Sequence, residues 1–349
     1  MKGISFRVLS CHALAFAVFT ALPAHAKDCA PPKLENTVKM EAIVSPGGGD
    51  SGEVALPITL SGVTKKFLFD TGGGTMNYIP QALALSLGMF RSDNFAALDV
   101  KGNKFYGVAG ARNVRFGAIT AREPVLFQLV PDLAFDGILS AGTMTSDDLD
   151  MDFGAMRLNF FSADHCEGNV VYWPQQALAV VPVSLTGGHF EVATTLDGHA
   201  LTAVIDTGSP WTILNVAWAE KNLGFSPEAP PPSGAPKDEP DKEIYFRKYS
   251  ALSFPGITIT NPLVVVRPLQ FGDRDETITR APDLVIGMEV LRHLHLYYAA
   301  NEKKLYISPA TQGPSPLPTA IAPSSSGHAW PEGDWSAYSK VWDPIHRPH

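Results

Sequence analysis

Short apolar runs with a period of two dominate this chain of 349 residues, and one arrangement of them occurs twice. Val54 to Leu60 alternates as a half-buried strand does. The polar turn Ser61-Gly62-Val63 follows, then a second β-rich run from Thr64 to Phe69, so the stretch predicts a hairpin. Phe190 to Leu196 and Leu201 to Ile205 repeat this around Asp197-Gly198-His199. A short helix is expected after each hairpin. Pro80 suits a first helical turn, and Ala82 to Leu85 propagates to a stop at Gly88. Asn215 is placed to cap the second helix, which Trp218 and Leu223 anchor before Gly224.

Each half then closes alike. Phe135 to Leu139 and Pro282 to Gly287 are apolar runs bounded by turn residues. Hairpin patterns follow, Leu149 to Phe153 with Arg157 to Phe161, and Leu294 to Tyr298 with Lys304 to Ile307. The pattern predicts a mainly β chain: an N-terminal segment over 27–49, a first lobe over 50–169, a linker over 170–177 and a second lobe over 178–308. Ser226 to Lys242, rich in Pro, Asp and Glu, reads as a solvated loop within the second lobe. Residues 309–349 read as a Pro/Ser-rich linker and a tail punctuated by Trp330, Trp335, Tyr338 and Trp342. Such a tail either docks in a cleft or rests on an inert groove.

The ends change the picture of where the chain works. Lys2 and Arg7, the apolar stretch Val8 to Leu22 and Ala24-His25-Ala26 form the pattern of a signal peptide over 1–26. A membrane anchor is the alternative, but the apolar stretch is short for a bilayer crossing. The expectation is export to a periplasmic or secreted location, with no membrane span in the mature chain. Of 3 cysteines, Cys11 leaves with the signal, and Cys29 and Cys166 remain. A disulfide between them is the economical reading in an oxidising compartment, and two buried thiols are the alternative. The formal net charge of −8 argues against a nucleic-acid partner, which would need a basic face. Hydrophobic residues make up 45% of the chain, enough for a substantial core.

The repeat also carries the candidate chemistry. Gly62, Asp70-Thr71-Gly72 and Leu87-Gly88 recur as Gly198, Asp206-Thr207-Gly208 and Leu223-Gly224, every pair 136 residues apart. Two carboxylates held a few ångströms apart cannot easily both ionise. They share a proton, so one acts as base towards water and the other as acid towards a carbonyl oxygen. Apolar runs, Phe67-Leu68-Phe69 and Ala203-Val204-Ile205, place each Asp at a rigid strand end. Thr71 and Thr207 carry hydroxyls able to reach the opposite loop. Gly72 and Gly208 let backbone amides approach the carboxylates. Ser209 offers a further hydroxyl donor to Asp206.

On Phe69-Asp70-Thr71-Gly72, Ile205-Asp206-Thr207-Gly208-Ser209 and the later Val285-Ile286-Gly287, the chain resembles the pepsin-like and retropepsin-like aspartic proteases, and looks most like exported bacterial members. The resemblance covers both lobes. It implies two acid-protease β-barrel lobes related by a pseudo-two-fold axis, with Asp70 and Asp206 as the catalytic pair and no metal or cofactor. It implies a polypeptide substrate in an inter-lobe cleft and a monomer. It also points to Phe105-Tyr106-Gly107 as a flap carrying Tyr106 and Gly107, with a packed surface tyrosine as the alternative. Two positions depart from the family pattern. Gly73 stands where a Ser or Thr is usual, and Ser140 where the first lobe's apolar run should end in Gly. Both fall in the first lobe, so Asp70 is expected to be less well held unless Thr75 or a water makes the missing contact.

Two functional classes follow. One is an aspartic endopeptidase. The other, motivated by Gly73 and Ser140, is a catalytically weak or inactive peptide-binding protein on the same fold. His293 and His295 alternate on an expected strand but lack an acidic or cysteine partner nearby in sequence, so no metal site is assigned. Gly208-Ser209-Pro210 lacks the nucleophile-elbow context of serine hydrolases.

Overall fold

A computed structural model describes residues 30–44, 50–98, 104–121, 123–269 and 281–310. The two halves repeat one strand arrangement. In the first, Gly137–Ser140 runs parallel to Val63–Asp70 and antiparallel to Asn77–Pro80, which in turn runs parallel to Val125–Val130. In the second, Leu284–Ile286 runs parallel to His199–Ile205 and antiparallel to Ile213–Asn215, which runs parallel to Leu263–Arg267. The chain is therefore mainly β, with two lobes of matching topology and short helices at Gln81–Ser86, Val216–Leu223 and Met288–Leu291.

Both expected hairpins form. Asp50–Leu60 pairs with Val63–Asp70 through the turn Ser61-Gly62, and His189–Leu196 pairs with His199–Ile205 through Asp197-Gly198. All four turn residues are left-handed, with φ 49° and 81° in the first turn and 47° and 82° in the second. That is the pattern a two-residue turn needs to match the twist of its strands. Asn215 caps its helix, its Oδ1 accepting from the Ala217 amide at 3.1 Å, and Gly224 closes it in the left-handed region. Pro80 occupies the cap position itself and makes no side-chain cap.

The closing hairpins differ from the expectation that each belongs to its own lobe. They pair with each other across the halves, Leu149 with Tyr298 and Met151 with Leu296. Among the described residues they form a six-stranded sheet that also takes in Leu34–Lys39 and Ala179–Pro182. The N-terminal segment thus supplies an edge strand of the sheet that joins the lobes. The linker is likewise no free tether, because Val170 and Trp173 are buried against this sheet with Phe161, Tyr297 and Tyr306. Beneath them Asp150 accepts from Asn159 Nδ2 at 2.7 Å and contacts His295 Nε2 and the Tyr172 hydroxyl. His295 stacks on Trp173 with ring centroids 4.0 Å apart. His295 therefore has its acidic partner from a distant strand, and its role is to fasten the linker to the shared sheet.

Core packing leads directly to the paired motif. Phe67, Leu68 and Phe69 are fully buried, and Ala203, Val204 and Ile205 nearly so. Each of these side chains except Ala203 is worth roughly 1.5–3 kcal/mol when fully buried, so the strand ends bearing Asp70 and Asp206 have little freedom.

Candidate active site

Asp70 and Asp206 end their strands at the junction of the lobes, 5% and 1% exposed. The loops that follow are locked together by reciprocal hydrogen bonds. The Thr71 amide donates to Thr207 Oγ1 and the Thr207 amide to Thr71 Oγ1, both at 3.0 Å. Thr71 Oγ1 donates to the Ile205 carbonyl at 2.6 Å, and Thr207 Oγ1 donates to the Phe69 carbonyl at 2.7 Å. Each threonine hydroxyl thus satisfies the backbone just before the opposite aspartate. All four bonds are buried, where an unmet partner is costly.

The same two-fold relation sets the carboxylates. Gly72 N donates to Asp70 Oδ1 at 2.7 Å, and Gly208 N to Asp206 Oδ1 at 2.9 Å. Each glycine also lies under the other lobe's carboxylate. A Cβ on Gly72 would sit 2.4 Å from Asp206 Cγ, and one on Gly208 would sit 2.5 Å from Asp70 Cγ. The two carboxyl groups are in hydrogen-bonding contact. Asp206 Oδ2 is buried with no other donor on it, and two ionised carboxylates offer only acceptors, so this contact is a bond only with a proton between them.

Burial is the largest influence on both acids. It pushes Asp70 up to about 6, partly offset by the bond with Asp206 and by the amides of Gly72 and Gly73. Asp206 is pushed well above the ordinary carboxylate range by burial, then by the charge and contact of Asp70, and further by the charge of Glu53. Both acids are thus raised, and the pair titrates as one unit that holds a shared proton.

The remaining expected residues fall out unevenly. Ser209 is buried, and its hydroxyl donates to the Trp211 carbonyl at 2.7 Å, tying its own loop instead of reaching Asp206. Tyr106 has its backbone in the strand Lys104–Ala111, paired with Ala96; its side chain and residues 99–103 lie outside the described residues. Gly107, at φ 98°, has its carbonyl held by Gln128 Nε2 at 3.0 Å. Cys166 is described and Cys29 is not. Val285-Ile286-Gly287 does pass behind the second loop, with the Asp206 amide donating to the Ile286 carbonyl at 3.0 Å.

The two departures in the first lobe lie against each other. Ser140 pairs with Asp70 in register, and its hydroxyl lies where a side chain on residue 73 would go, 2.3 Å from that Cβ position. Thr75 does not replace the missing contact; it is exposed and lies against the Gly187-Gly188 turn of the second lobe. The Gly72 amide holds Asp70 Oδ1 as the Gly208 amide holds Asp206 Oδ1, and the Gly73 amide lowers Asp70 further.

Sequence reasoning missed three features. Tyr78, half-buried, has its hydroxyl pushed up to about 12 by burial and the Asp70 charge, which places it beside the pair. Glu53 is 2% exposed; the Val54 to Leu60 alternation places it on the face opposite Leu56, Ile58 and Leu60, so the pattern did not announce its burial. Gly74, Gly142 and Gly188 meet where the lobes touch, a Cβ on Gly142 lying 2.2 Å from the Gly74 carbonyl oxygen, and no sequence spacing announces that contact.

No protein-family model matches the chain. No curated protein matches it either. Among solved structures, the chain is similar to the crystal structure of an aspartic proteinase from Irpex lacteus. That match has 11% identity and a TM-score of 0.49, covering 79% of this chain and 97% of that one. It is also similar to Basic 7S globulin from soybean, at 12% identity and a TM-score of 0.44, covering 80% and 95%. Both likenesses are distant and transfer no residue role to this chain.

Proposed function

We propose that this protein is an aspartic endopeptidase in which Asp70 and Asp206 activate one water against a peptide carbonyl. The observation that carries the reading is the reciprocal Thr71–Thr207 lock, which sets two buried carboxylates in contact at the lobe junction. Ionised Asp70 takes a proton from the water as its oxygen bonds to the carbonyl carbon, and Asp206 gives its proton to the carbonyl oxygen. Collapse of the resulting diol breaks the C–N bond: the amine leaves with the proton Asp70 took from the water, and a diol hydroxyl returns its proton to Asp206 as the new carbonyl forms. An extended polypeptide between the lobes is the substrate, under a hairpin carrying Tyr106 and Gly107. One chain supplies both acids, so a monomer suffices.

Incubating the purified protein with an unfolded protein from about pH 4 to about pH 8, with and without a statine-type inhibitor, tests this. Inhibitor-sensitive fragments are expected, with the acidic limb of kcat/KM near 6, where Asp70 titrates. Peptide bound but never cut, at any pH, would establish the binding-only alternative. The departures that motivated that alternative, Gly73 and Ser140, fill one space between them.

The chain is further proposed to be exported and to carry a Cys29–Cys166 disulfide. Supporting this, the Cys166 amide donates to the Ala30 carbonyl at 3.1 Å, and the Ser162 amide to the Lys33 carbonyl at 2.9 Å. The residue after Cys29 thus lies beside Cys166. Peptide mapping of unreduced mature protein is expected to recover the two cysteines cross-linked; quantitative alkylation of Cys166 without a reductant would refute the pairing.

A further inference from the structure

The second lobe shows what its loop needs. Ser209 Oγ donates to the Trp211 carbonyl, and Gly287, facing it, has no room for a side chain: a Cβ there would lie 2.2 Å from the Trp211 carbonyl oxygen and 2.7 Å from that of Ser209. The Gly287 amide donates to Thr212 Oγ1 at 3.2 Å. In the first lobe, Ser140 holds the place of Gly287 on the strand behind the aspartate, and its amide donates to Asn77 Oδ1 at 3.0 Å. Asn77 thus corresponds to Thr212, and Met76 to Trp211. Ser140 Oγ lies 2.5 Å from the Met76 carbonyl oxygen and 3.1 Å from that of Gly73, and shares its proton between them.

Each lobe therefore places one serine hydroxyl in the same space, bonded to the same loop carbonyl, but from opposite walls. The first-lobe loop, from Asp70 to Asn77, is one residue longer than that from Asp206 to Thr212. The extra length carries the loop clear of the rear strand and gives Ser140 its room.

We infer that Ser140 is a positioning residue for Asp70: it holds the Gly73 carbonyl and so fixes the turn that aims the Gly73 amide at the carboxylate. Gly73 and Ser140 are then one exchanged unit, the mirror of Ser209 and Gly287. As it concerns catalysis, the inference rests on the protease reading above; as it concerns the loop, it does not.

Four variants test it. Ser140→Ala keeps the volume and loses the donor. It is expected to lower kcat about tenfold with KM within about twofold. It should also move the acidic limb upward, because the Gly73 amide is one of the bonds that hold Asp70 down. Gly73→Ser puts two side chains in one space and should lower both the melting temperature and kcat/KM, the latter about thirtyfold. Adding Ser140→Gly to Gly73→Ser builds the second-lobe arrangement and should return kcat/KM to within about threefold of wild type, although Ser140→Gly alone is harmful. Melting losses that simply add across this cycle would overturn the exchange, whether or not the protein cuts peptides. An unmoved acidic limb in Ser140→Ala would overturn the positioning role. A wild type that cleaves nothing would refute the protease reading, while the melting cycle would still decide the exchange.

Discussion

Asp206→Asn is expected to abolish cleavage while leaving the protein folded and, at neutral pH, more stable than wild type. Asparagine has nearly the shape of the acid and can still accept from the Gly208 amide, which holds Asp206 Oδ1 at 2.9 Å. It cannot release a proton to a carbonyl oxygen. Losing one general acid or base costs typically 10²–10⁴-fold, and because the two carboxylates act as one unit, loss at the upper end is expected. For the same reason Asp70→Asn and the double variant should be no more than slightly worse than either alone.

The stability change has a definite sign. Burial raises both acids in the folded state above their unfolded values, 3.8 for each. The native state therefore binds more protons than the unfolded state between 3.8 and the raised values. Stability is fully present below about 3.8 and falls as pH rises through that window. Asparagine removes the Asp206 share of this penalty, and its side-chain amide can donate to Asp70 in place of the shared proton. Melting curves across pH should show the variant ahead at neutrality and level with wild type below about 3.8. Turnover retained by the variant, or a lower melting temperature at neutral pH, would refute the shared-proton pair.

How much of this was legible in the sequence depends on the range of the interaction. The hairpins were, because Ser61-Gly62 and Asp197-Gly198 bring left-handed turn chemistry between alternating runs. The repeat extended further than the motif: Asp136 and Asp283, which open the two later apolar runs, each accept from the neighbouring strand's backbone, at Lys66 N and Thr202 N, both at 3.0 Å. The shared sheet was not legible. Alternation says that Leu149 to Phe153 is half-buried but not that its neighbour is a strand nearly 150 residues away, Leu149 pairing with Tyr298. The Gly73–Ser140 exchange failed for a related reason. Read one position at a time, each residue looks like a defect. The compensation exists only where a loop one residue longer meets the strand behind it.

Gly72→Ala should be nearly as damaging to activity as loss of an aspartate, by a different route. The alanine methyl would sit 2.4 Å from Asp206 Cγ and 2.5–2.6 Å from both its oxygens, so the carboxyl or the loop must move. Neither has much freedom. Asp206 is held through Oδ1 by Gly208, and the Gly72 loop is fixed by the Thr71 hydroxyl and amide one residue earlier. Overpacking of this kind costs about 1–3 kcal/mol, and a displacement of order 1 Å at the reacting groups can cost about 10²-fold in rate. The expected result is a folded protein with a lowered melting temperature and kcat/KM reduced at least about 10²-fold. Gly88→Ala is the control. Gly88 has φ 62° and no atom within 4 Å of its Cβ position, so alanine there bears only left-handed strain, about 1–2 kcal/mol, and should leave kcat/KM unchanged. If the two variants lose stability alike and both keep full activity, the carboxyl of Asp206 does not depend on the contact at Gly72. The two-fold packing of each glycine beneath the opposite acid would then be incidental to whatever the pair does.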